Sequence, residues 1–157
     1  MNDRILIRPY TPGDVDATID IFLRAIREVS SKDYSATEIE AWAKVEDRSR
    51  WAERRISRPA WIAEFDGKPA GFSDLTGDGC LDMMFVHPDF QGLGIASRLL
   101  RRVEDEALRL GFGRIYTEAS RTARPFFERK GFWVVTKQIV AKRGQSLENF
   151  LMEKLYG

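Results

Sequence analysis

Hydrophobic and polar positions repeat along most of this chain at spacings that predict strands and helices. Residues 4–8 alternate, as in a half-buried strand. The apolar positions between Val15 and Val29 recur at intervals of three and four, as on one face of a helix, and residues 11–14 supply turn and N-cap chemistry before it. The chain therefore begins with a strand that is followed by an amphipathic helix.

The pattern is less regular in residues 30–58, where two short helix candidates lie around residues 37–43 and 49–56. Aromatic residues are distributed through this segment. We expect it to shape one wall of a pocket. The alternative is that its aromatic side chains only pack on a sheet.

Three apolar runs separated by tight-turn residues follow, and they predict an antiparallel meander of strands. The next segment has the apolar spacing of a helix from about Gly94 to Leu110, ends at Gly111, and leads to a strand at residues 114–118. Because no hairpin turn separates the last meander strand from this strand, we expect a right-handed parallel crossover. The predicted meander strands are residues 60–65, 69–76 and 80–87.

A last helix at about residues 122–130 closes at Gly131, and two strands near residues 132–141 and 147–155 complete the pattern. The order predicts an α/β fold with a mixed, mostly antiparallel sheet flanked by helices. A chain of 157 residues is in the usual range of one domain and can bury roughly two-thirds of its unfolded surface. We therefore expect residues 1–157 to form a single domain.

Composition and charge argue against several classes of protein. With 25 basic and 24 acidic residues the net charge is +1, so no overall field would recruit nucleic acid or an anionic membrane. No apolar run approaches the length of a membrane span, and the N-terminus lacks the basic-then-apolar pattern of a secretory signal. We expect a cytoplasmic protein with no nucleic-acid or membrane partner, and the sequence leaves a homodimer open.

Cysteine and histidine are too scarce to carry much chemistry. Cys80 is the only cysteine, which excludes an internal disulfide and a cysteine-rich zinc site, so we expect no metal. His87 is the only histidine, and seven positions along one extended strand would separate it from Cys80 by more than about 20 Å. A Cys–His catalytic pair is therefore disfavoured, and the position of His87 at a strand end is more typical of a turn.

The segment VHPDFQGLGIA at residues 86–96 places Gly92 and Gly94 at the start of the predicted central helix. A helix start has unpaired N–H groups and the positive end of the helix dipole, so a turn with small residues there suits a diphosphate. Glycines are also common in strand-to-helix turns that bind nothing. The spacing fits neither common nucleotide-binding pattern, because Ser97 replaces the third dinucleotide-fold glycine and no Lys followed by Ser or Thr comes after Gly94.

The residues Gln91, Gly94 and Ala96 give this turn the form Q-x-x-G-x-A, which resembles the GNAT superfamily of N-acetyltransferases. In that family a Q/R-x-x-G-x-G/A turn holds the pyrophosphate of acetyl-CoA. A second segment, FFERKGF at residues 126–132, resembles the family's Y-E-K-x-G-F segment on the helix that flanks the cofactor. The resemblance covers residues 4 to about 155. Segments that are similar to a bacterial YafP-like branch of the superfamily are residues 34–35, 41–43, 123–127 and 149–154.

The resemblance implies that the strands before and after the central helix, residues 80–87 and 114–118, splay apart and that acetyl-CoA enters the opening. The main chain of the first strand then pairs with the pantetheine, because a splayed strand has unpaired groups that the amides of a ligand can satisfy. The turn and the helix start hold the diphosphate. The implied cofactor-binding residues are Met84, Phe85, Val86, Gln91, Gly92, Leu93, Gly94, Ile95, Ala96, Ser97, Arg98, Ser120 and Phe127.

Acetyl transfer to an amine needs a neutral amine, a stabilised oxyanion and a proton for the departing thiolate. A lysine-like ammonium has a pKa near about 10.4, so a carboxylate or a water chain must accept its proton before attack. Glu118 and Asp82 are the candidate bases, and the backbone N–H of Val86 is the candidate oxyanion donor. Alternatively, Glu118 caps the next helix or pairs with Arg121 or Arg124. Asp82 could instead orient a loop or bind the positive charge of the acceptor.

The proton donor is where the chain departs from the family pattern. Phe127 stands at the position of the family's tyrosine and has no proton to give. A thiol has a pKa of roughly 8.5, so its thiolate leaves tolerably at neutral pH, and water, Ser120 or Tyr116 are the candidate substitutes. Guanidinium groups bind phosphate through two nitrogen atoms, and we expect one or two of four nearby arginines to contact CoA phosphates. These are Arg98, Arg121, Arg124 and Arg129.

The function that these residues favour is transfer of an acetyl group from acetyl-CoA to a primary amine of a small molecule or peptide, by direct attack in a ternary complex. The alternative is a sensor or scaffold module that binds acetyl-CoA without turnover. A nucleotide-binding protein that uses the same turn is disfavoured, because no lysine follows the glycines.

Overall fold

The computed structural model describes residues 4–157 and divides their strands between two antiparallel sheets. The strands are β1 (Ile5–Pro9), β2 (Ala60–Phe65), β3 (Lys68–Asp74), β4 (Met84–Val86), β5 (Arg114–Ser120), β6 (Trp133–Lys142) and β7 (Gln145–Leu155). The helices are α1 (Val15–Glu28), α2 (Ala36–Trp42), α3 (Arg48–Ile56), α4 (Ile95–Arg109) and α5 (Arg124–Arg129). The first sheet has the order β1-β2-β3-β4, and the second has the order β5-β7-β6.

The two faces of the first sheet are covered by different helices. On one face α4 packs against all four strands and buries an apolar stripe that includes Leu99 and Val103. On the other face α1 packs against β3 and β4, and together with α2 and α3 it encloses a second core that includes Ile26 and Phe72. Because side chains alternate along a strand, one sheet can supply both cores. The α/β fold with flanking helices is the one that the sequence predicts.

The two sheets splay apart where β4 faces β5. They are joined there by a single parallel bridge between Cys80 and Tyr116, in which the Leu81 N–H donates to the Tyr116 carbonyl at 2.8 Å. No further strand pairing between β4 and β5 is present among residues 4–157, so a cleft opens toward the end of β4. The splayed parallel pair expected from the family resemblance is therefore found.

The predicted strand at residues 80–87 is too long. Strand β4 is only three residues, because the buried Asp74 carboxylate accepts the N–H of Met83 at 2.8 Å in place of a main-chain acceptor. The segment before β4 turns instead toward β5, where the Thr117 hydroxyl donates to the Leu81 carbonyl. The other predicted strands and helices lie within a few residues of those observed.

The variable segment, residues 30–58, contributes both a wall and a core. Trp51 is buried in the second core, where its indole N–H donates to the Thr18 hydroxyl at 3.0 Å. Tyr34 and Trp42 belong to the same core and also line a cavity that is described below. The segment therefore contributes to a cavity wall as well as to the core. Among residues 4–157, no helix is long and apolar enough to cross a membrane.

A buried ion pair lies beneath the cleft. Arg55 of α3 is 1% exposed and Asp74 of β3 is fully buried, with 3.6 Å between the guanidinium Nη2 and the carboxylate Oδ2. Burial raises the pKa of the Asp74 carboxyl to about 6, whereas the positive charge of Arg55 acts in the opposite direction. Removing either member should therefore lower the free energy of unfolding, because the remaining charge would be buried without a partner.

We expect Asp74→Leu to lower the free energy of unfolding by about 3 kcal/mol, because it leaves the Arg55 charge buried and unpaired. The double variant Asp74→Leu/Arg55→Met removes both charges and should lose less than Asp74→Leu alone, with part of the loss remaining because Met83 N–H has no acceptor. Urea denaturation of the single and double variants measures both values. Arg55→Met is the second single variant. If the losses of Asp74→Leu and Arg55→Met add up to the loss of the double variant, the coupling is contradicted.

Candidate active site

The turn between β4 and α4, which we call the cradle, has a backbone geometry that suits an anion. Gly92 and Gly94 have φ angles of +76° and +87°, and a Cβ at either would meet no atom within 4 Å, so the left-handed backbone rather than lack of space favours glycine. The first backbone N–H paired within the helix is that of Arg98, which donates to the Gly94 carbonyl at 3.1 Å. The preceding N–H groups are open, and the first turn carries no acidic residue to repel an anion.

The edge of β4 has free main-chain groups that face the cleft. His87 N–H donates to the Ala70 carbonyl, and Asp74 N–H donates to the Met83 carbonyl. In an antiparallel pair, hydrogen-bonded positions alternate with positions whose main-chain groups point away. With this register, the N–H and carbonyl groups of Met84 and Val86 point away from β3 and toward β5.

One of these edge groups already has a partner. The Gln91 side-chain amide donates to the Val86 carbonyl at 2.9 Å, which ties the start of the Q-x-x-G-x-A turn to the strand. The Val86 N–H and both main-chain groups of Met84 are left to pair with a ligand.

A cavity of about 640 Å³ lies between β4, the cradle and α5. Its walls are mostly apolar, and two of its polar side chains, Gln91 and Ser97, lie at the cradle. Arg129 of α5 contributes a cation to this wall. Of the residues expected to bind the cofactor, those that line the cavity are Met84, Phe85, Val86, Gln91, Gly92, Gly94, Ile95, Ala96, Ser97 and Ser120.

A smaller cavity of about 190 Å³ adjoins the first, and both are lined by Phe85 and Ser120. We call this smaller space the acceptor cavity. Both candidate bases, Glu118 and Asp82, line it, together with Cys80. Glu118 and Ser120 share a face of β5 because alternate residues of that strand, such as Ala119, are buried on the other side. The structure therefore brings the two carboxylates to the same cavity.

The two carboxylates differ in their partners. Asp82 accepts a hydrogen bond from Arg58 at 2.9 Å, and the same guanidinium lies 3.5 Å from Asp74. The Glu118 carboxylate, near the end of β5, makes no hydrogen bond or ion pair with any described residue. It is thus the carboxylate whose proton-accepting oxygens are open to a ligand.

The alternative partners suggested for Glu118 are engaged elsewhere. Arg121 pairs with Glu148 at 3.2 Å, and Arg124 pairs with Glu128 at 3.3 Å. Of the four arginines considered for CoA phosphates, only Arg129 is among the residues that line the large cavity. Arg98 lies outside the lining residues of that cavity.

Cys80 carries a thiol that resists ionisation. Burial, and then the negative charges of neighbouring carboxylates that include Asp82 and Glu118, raise the pKa of this thiol to about 12. Because the thiolate is the nucleophilic form, Cys80 is a poor nucleophile at neutral pH. The carboxylate field that weakens the thiol also favours a positively charged ligand in the acceptor cavity.

Besides Arg98, three residues predicted for the site are outside the lining of the two cavities. The Tyr116 hydroxyl donates to Asp78 at 2.5 Å, and this hydrogen bond raises the pKa of the tyrosine. Phe127 is 3% exposed and packs between Phe126 and Phe132 in the core. Leu93 is 40% exposed at the tip of the turn. None of the three is among the lining residues of either cavity.

His87 occupies a turn, as its sequence position predicts. Its Nδ1 accepts the N–H of Asp89 at 3.1 Å, and its Nε2 lies 2.8 Å from the Arg24 guanidinium. His87 does not line the acceptor cavity that contains Cys80. Among residues 4–157, no three His, Cys, Asp or Glu side chains are grouped so as to hold a metal ion.

The far wall of the acceptor cavity comes from residues that sequence reasoning did not assign. Tyr34 donates through its hydroxyl to the Glu148 carbonyl and accepts the N–H of Arg121 at 2.9 Å, which links the variable segment to β7. Asn149 and Lys142 of the β6–β7 hairpin complete this wall. A hairpin of ordinary strand composition carries no local signal for such a role.

Two sheets that splay apart beside a cavity, with an anion cradle at the start of the central helix, define a transferase of the acetyl-CoA-dependent class. The comparisons with known proteins agree. The chain matches the family model described as acetyltransferase (GNAT) domain over residues 30–154. It is 38% identical over 151 residues to YafP, an uncharacterised N-acetyltransferase of Escherichia coli (strain K12), covering 96% of this chain and 95% of that protein. The chain belongs to the GNAT family of N-acetyltransferases.

Solved structures give the same result. A GCN5-related N-acetyltransferase of Rhodopseudomonas palustris superimposes with a TM-score of 0.95 and 32% identity, covering 99% of this chain and 98% of that one. The structure of yncA from Salmonella typhimurium with its cofactor acetyl-CoA has a TM-score of 0.74 and 21% identity, covering 98% of this chain and 94% of that one. The likeness to yncA is a likeness of fold alone. The expected resemblance to the superfamily and to its YafP-like branch is confirmed.

Proposed function

We propose that this protein binds acetyl-CoA in the 640 Å³ cavity and transfers the acetyl group directly to a primary amine held in the acceptor cavity. The observation that carries the proposal is the junction of the two cavities at Phe85 and Ser120, with the unpaired Glu118 carboxylate on the acceptor side. Residues 1–157 would act as a single acetyltransferase domain. The cytoplasmic location and the homodimer stay predictions.

The residues present fit acetyl-CoA. The open N–H groups at the start of α4 suit its diphosphate, and Arg129 adds a cation near the same cavity. The free main-chain groups of Met84 suit an amide of its pantetheine. When bound, acetyl-CoA supplies an acetyl group that is activated as a thioester.

The acceptor side supplies the proton chemistry. Glu118 takes a proton from the ammonium, which leaves a neutral amine able to attack the carbonyl carbon. A C–N bond forms, the C–S bond breaks, and the second amine proton passes through a hydroxyl group or water to the departing thiolate, which leaves as the thiol. The Val86 N–H, which points into the cleft, is placed to stabilise the negative charge that develops on the carbonyl oxygen.

Ser120 is the side chain best placed to protonate the departing thiolate. Its Oγ accepts the N–H of Ala123 at 3.1 Å, so its own hydroxyl proton is free to be donated. It lines both cavities, whereas Tyr116 is bound to Asp78 outside them and Phe127 has no hydroxyl. Water is the remaining candidate.

Direct transfer predicts that no acetyl-enzyme forms. With a thiol pKa of about 12 against an ordinary 9.0, the thiolate fraction of Cys80 falls by about 10³-fold at neutral pH. Incubation with acetyl-CoA and no amine should leave the intact-protein mass unchanged, and iodoacetamide should alkylate native protein far more slowly than unfolded protein. A stoichiometric acetyl adduct on Cys80 that an added amine discharges would contradict the proposal.

The proposal is tested by measuring CoA release from acetyl-CoA against a broad panel of primary amines. Amine-dependent release, with the acetylated amine identified by mass spectrometry, is expected. Binding of acetyl-CoA without release for any amine would support the sensor or scaffold alternative instead. Failure to bind acetyl-CoA would contradict both the acetyltransferase proposal and the sensor or scaffold alternative.

A further inference from the structure

A third cavity, of about 300 Å³, continues from the acceptor cavity on the side away from the cradle. The two share Phe22, Trp42, Met83 and Lys142. The rest of the third cavity is lined by α3, by the segment that precedes it and by the tip of the β6–β7 hairpin. We call this third cavity the basic groove, for the reason that follows.

Four cations in its walls make no hydrogen bond or ion pair through their side chains with any described residue. Three separate parts of the chain supply them: the segment before α3, α3 itself and the end of β6. They are Lys44, Arg50, Arg54 and Lys142. The net charge of the whole chain is only +1, so this concentration of positive charge is local.

The two acids in the same walls, Glu46 and Asp47, offset only part of this positive charge, and Glu46 acts on Lys44 through charge alone. Glu46 is ion-paired with Arg143 at 2.8 Å. Asp47 caps α3 by accepting the N–H of Arg50 at 3.1 Å. Arg50 and Arg54 are four residues apart on one helical face, where like charges repel and destabilise the helix. An anion in the groove would relieve this repulsion.

The opposite end of the combined space has the opposite charge. The Glu118 carboxylate is unpaired there, and the negative charges of Asp82 and Glu118 both act on the Cys80 thiol. Glu118 pairs with Leu151 in the sheet, and Lys142 pairs with Gln145. Six residues of β7 separate these partners, about 20 Å at the rise of a strand, and the long side chains of Glu118 and Lys142 shorten this distance.

We propose that the acceptor carries an anionic group, a carboxylate or a phosphate, separated from its primary amine by a chain of several bonds. The ammonium end lies at Glu118, and the anionic end lies in the basic groove, where guanidinium groups bind planar or tetrahedral oxyanions through paired hydrogen bonds. Arg50, Arg54 and Lys142 are then specificity-determining residues. The inference rests on the proposed acetyltransferase function.

The test compares aminohexanoate, aminohexyl phosphate and aminohexanol, each with the amine and the second group at opposite ends. Wild-type kcat/KM should be at least about tenfold higher for the preferred anionic amine than for the neutral alcohol. The carboxylate and phosphate arms show which anion is preferred. Raising the salt concentration should reduce the advantage of the anionic amine over the alcohol.

The double variant Arg50→Gln/Arg54→Gln should raise KM for the anionic amine about tenfold and change KM for the alcohol less than twofold. Its kcat should change little, because the groove lies away from the reacting atoms. Arg101→Gln is the matched control, since Arg101 is an exposed arginine of α4 that lines none of these cavities.

Two results would overturn the inference and leave the proposed function standing: equal kcat/KM for charged and neutral amines, or an unchanged KM in the double variant. If no amine releases CoA, the proposed function fails, and calorimetry then decides the groove separately. Binding of aminohexyl phosphate or aminohexanoate to CoA-saturated wild type, lost in Arg50→Gln/Arg54→Gln and kept in Arg101→Gln, supports it. Absence of binding, or binding equal in both variants, overturns it.

Discussion

Replacing Gly94 by glutamate is expected to weaken CoA binding by about 10²- to 10³-fold, through backbone strain and charge together. Gly94 has φ +87°, a conformation that other L-residues adopt only at a cost of roughly 1–2 kcal/mol. The new carboxylate would also lie at the helix start that is proposed to hold the diphosphate, and the two negative charges would repel each other. Titration calorimetry with CoA measures the loss.

Two further variants separate the contribution of backbone strain from that of the new charge. Gly94→Ala introduces the strain without the charge and should lose about tenfold in affinity. Gly144→Glu introduces both strain and charge, because Gly144 has φ +83° with open space around a Cβ, but it lies at the β6–β7 hairpin turn. If Gly94→Glu and Gly144→Glu bound CoA equally well, the cradle would not be the diphosphate site.

The cradle could be predicted from sequence because its determinants are local. A strand, a glycine turn and an amphipathic helix follow one another within residues 84–109, and each leaves its own spacing in the chain. The same holds for the α/β order and for helix α4, which ends at Arg109 shortly before Gly111. Periodicity and turn chemistry are properties of neighbouring residues, so no tertiary contact is needed to recognise them.

Features that depend on distant residues could not be predicted. Strand β4 is short because the Asp74 carboxylate accepts the Met83 N–H. No pattern within residues 80–87 predicts that this carboxylate lies beside Met83. Tyr116 is unavailable as an acid because Asp78 binds its hydroxyl. Phe127 matches the family's tyrosine in sequence, yet its burial depends on the packing of α5 against β5.

The basic groove shows the same limit. Lys142 is far in the sequence from Lys44 and Arg54, and each of the three is ordinary among 25 basic residues. Only the contact of α2 with β7 and the docking of α3 beneath the cleft bring them to one space. Charge counting therefore predicts no anion site, although the folded chain concentrates unpaired cations at one end of the acceptor cavity.

Replacing Glu118 by glutamine should lower kcat by on the order of 10²-fold or more, the usual contribution of a positioned general base. Glutamine keeps the size and hydrogen-bonding capacity of the side chain but does not accept the ammonium proton. Affinity for CoA should be unchanged, because Glu118 lines the acceptor cavity and not the cofactor cavity. Steady-state kinetics and calorimetry measure the two effects.

The pH dependence of this variant separates a base from a group that only binds the acceptor. As pH approaches the amine pKa near about 10.4, solvent deprotonates more of the amine, so the deficit of Glu118→Gln should shrink. A deficit that stays constant with pH, or that appears only in KM, would assign Glu118 to binding. Glu53→Gln is the control for the chemical change, since Glu53 is exposed on α3 and lines none of these cavities.

Asp82→Asn decides between the two candidate bases. Asp82 is held by Arg58, so its loss should disturb the acceptor cavity and raise KM more than it lowers kcat. If Glu118→Gln instead turns over normally and Asp82→Asn is inactive, the base is Asp82. The Arg58 hydrogen bond would then have to be released when the amine enters, and Arg58→Lys, which gives up the planar guanidinium, should in that case change the rate as well.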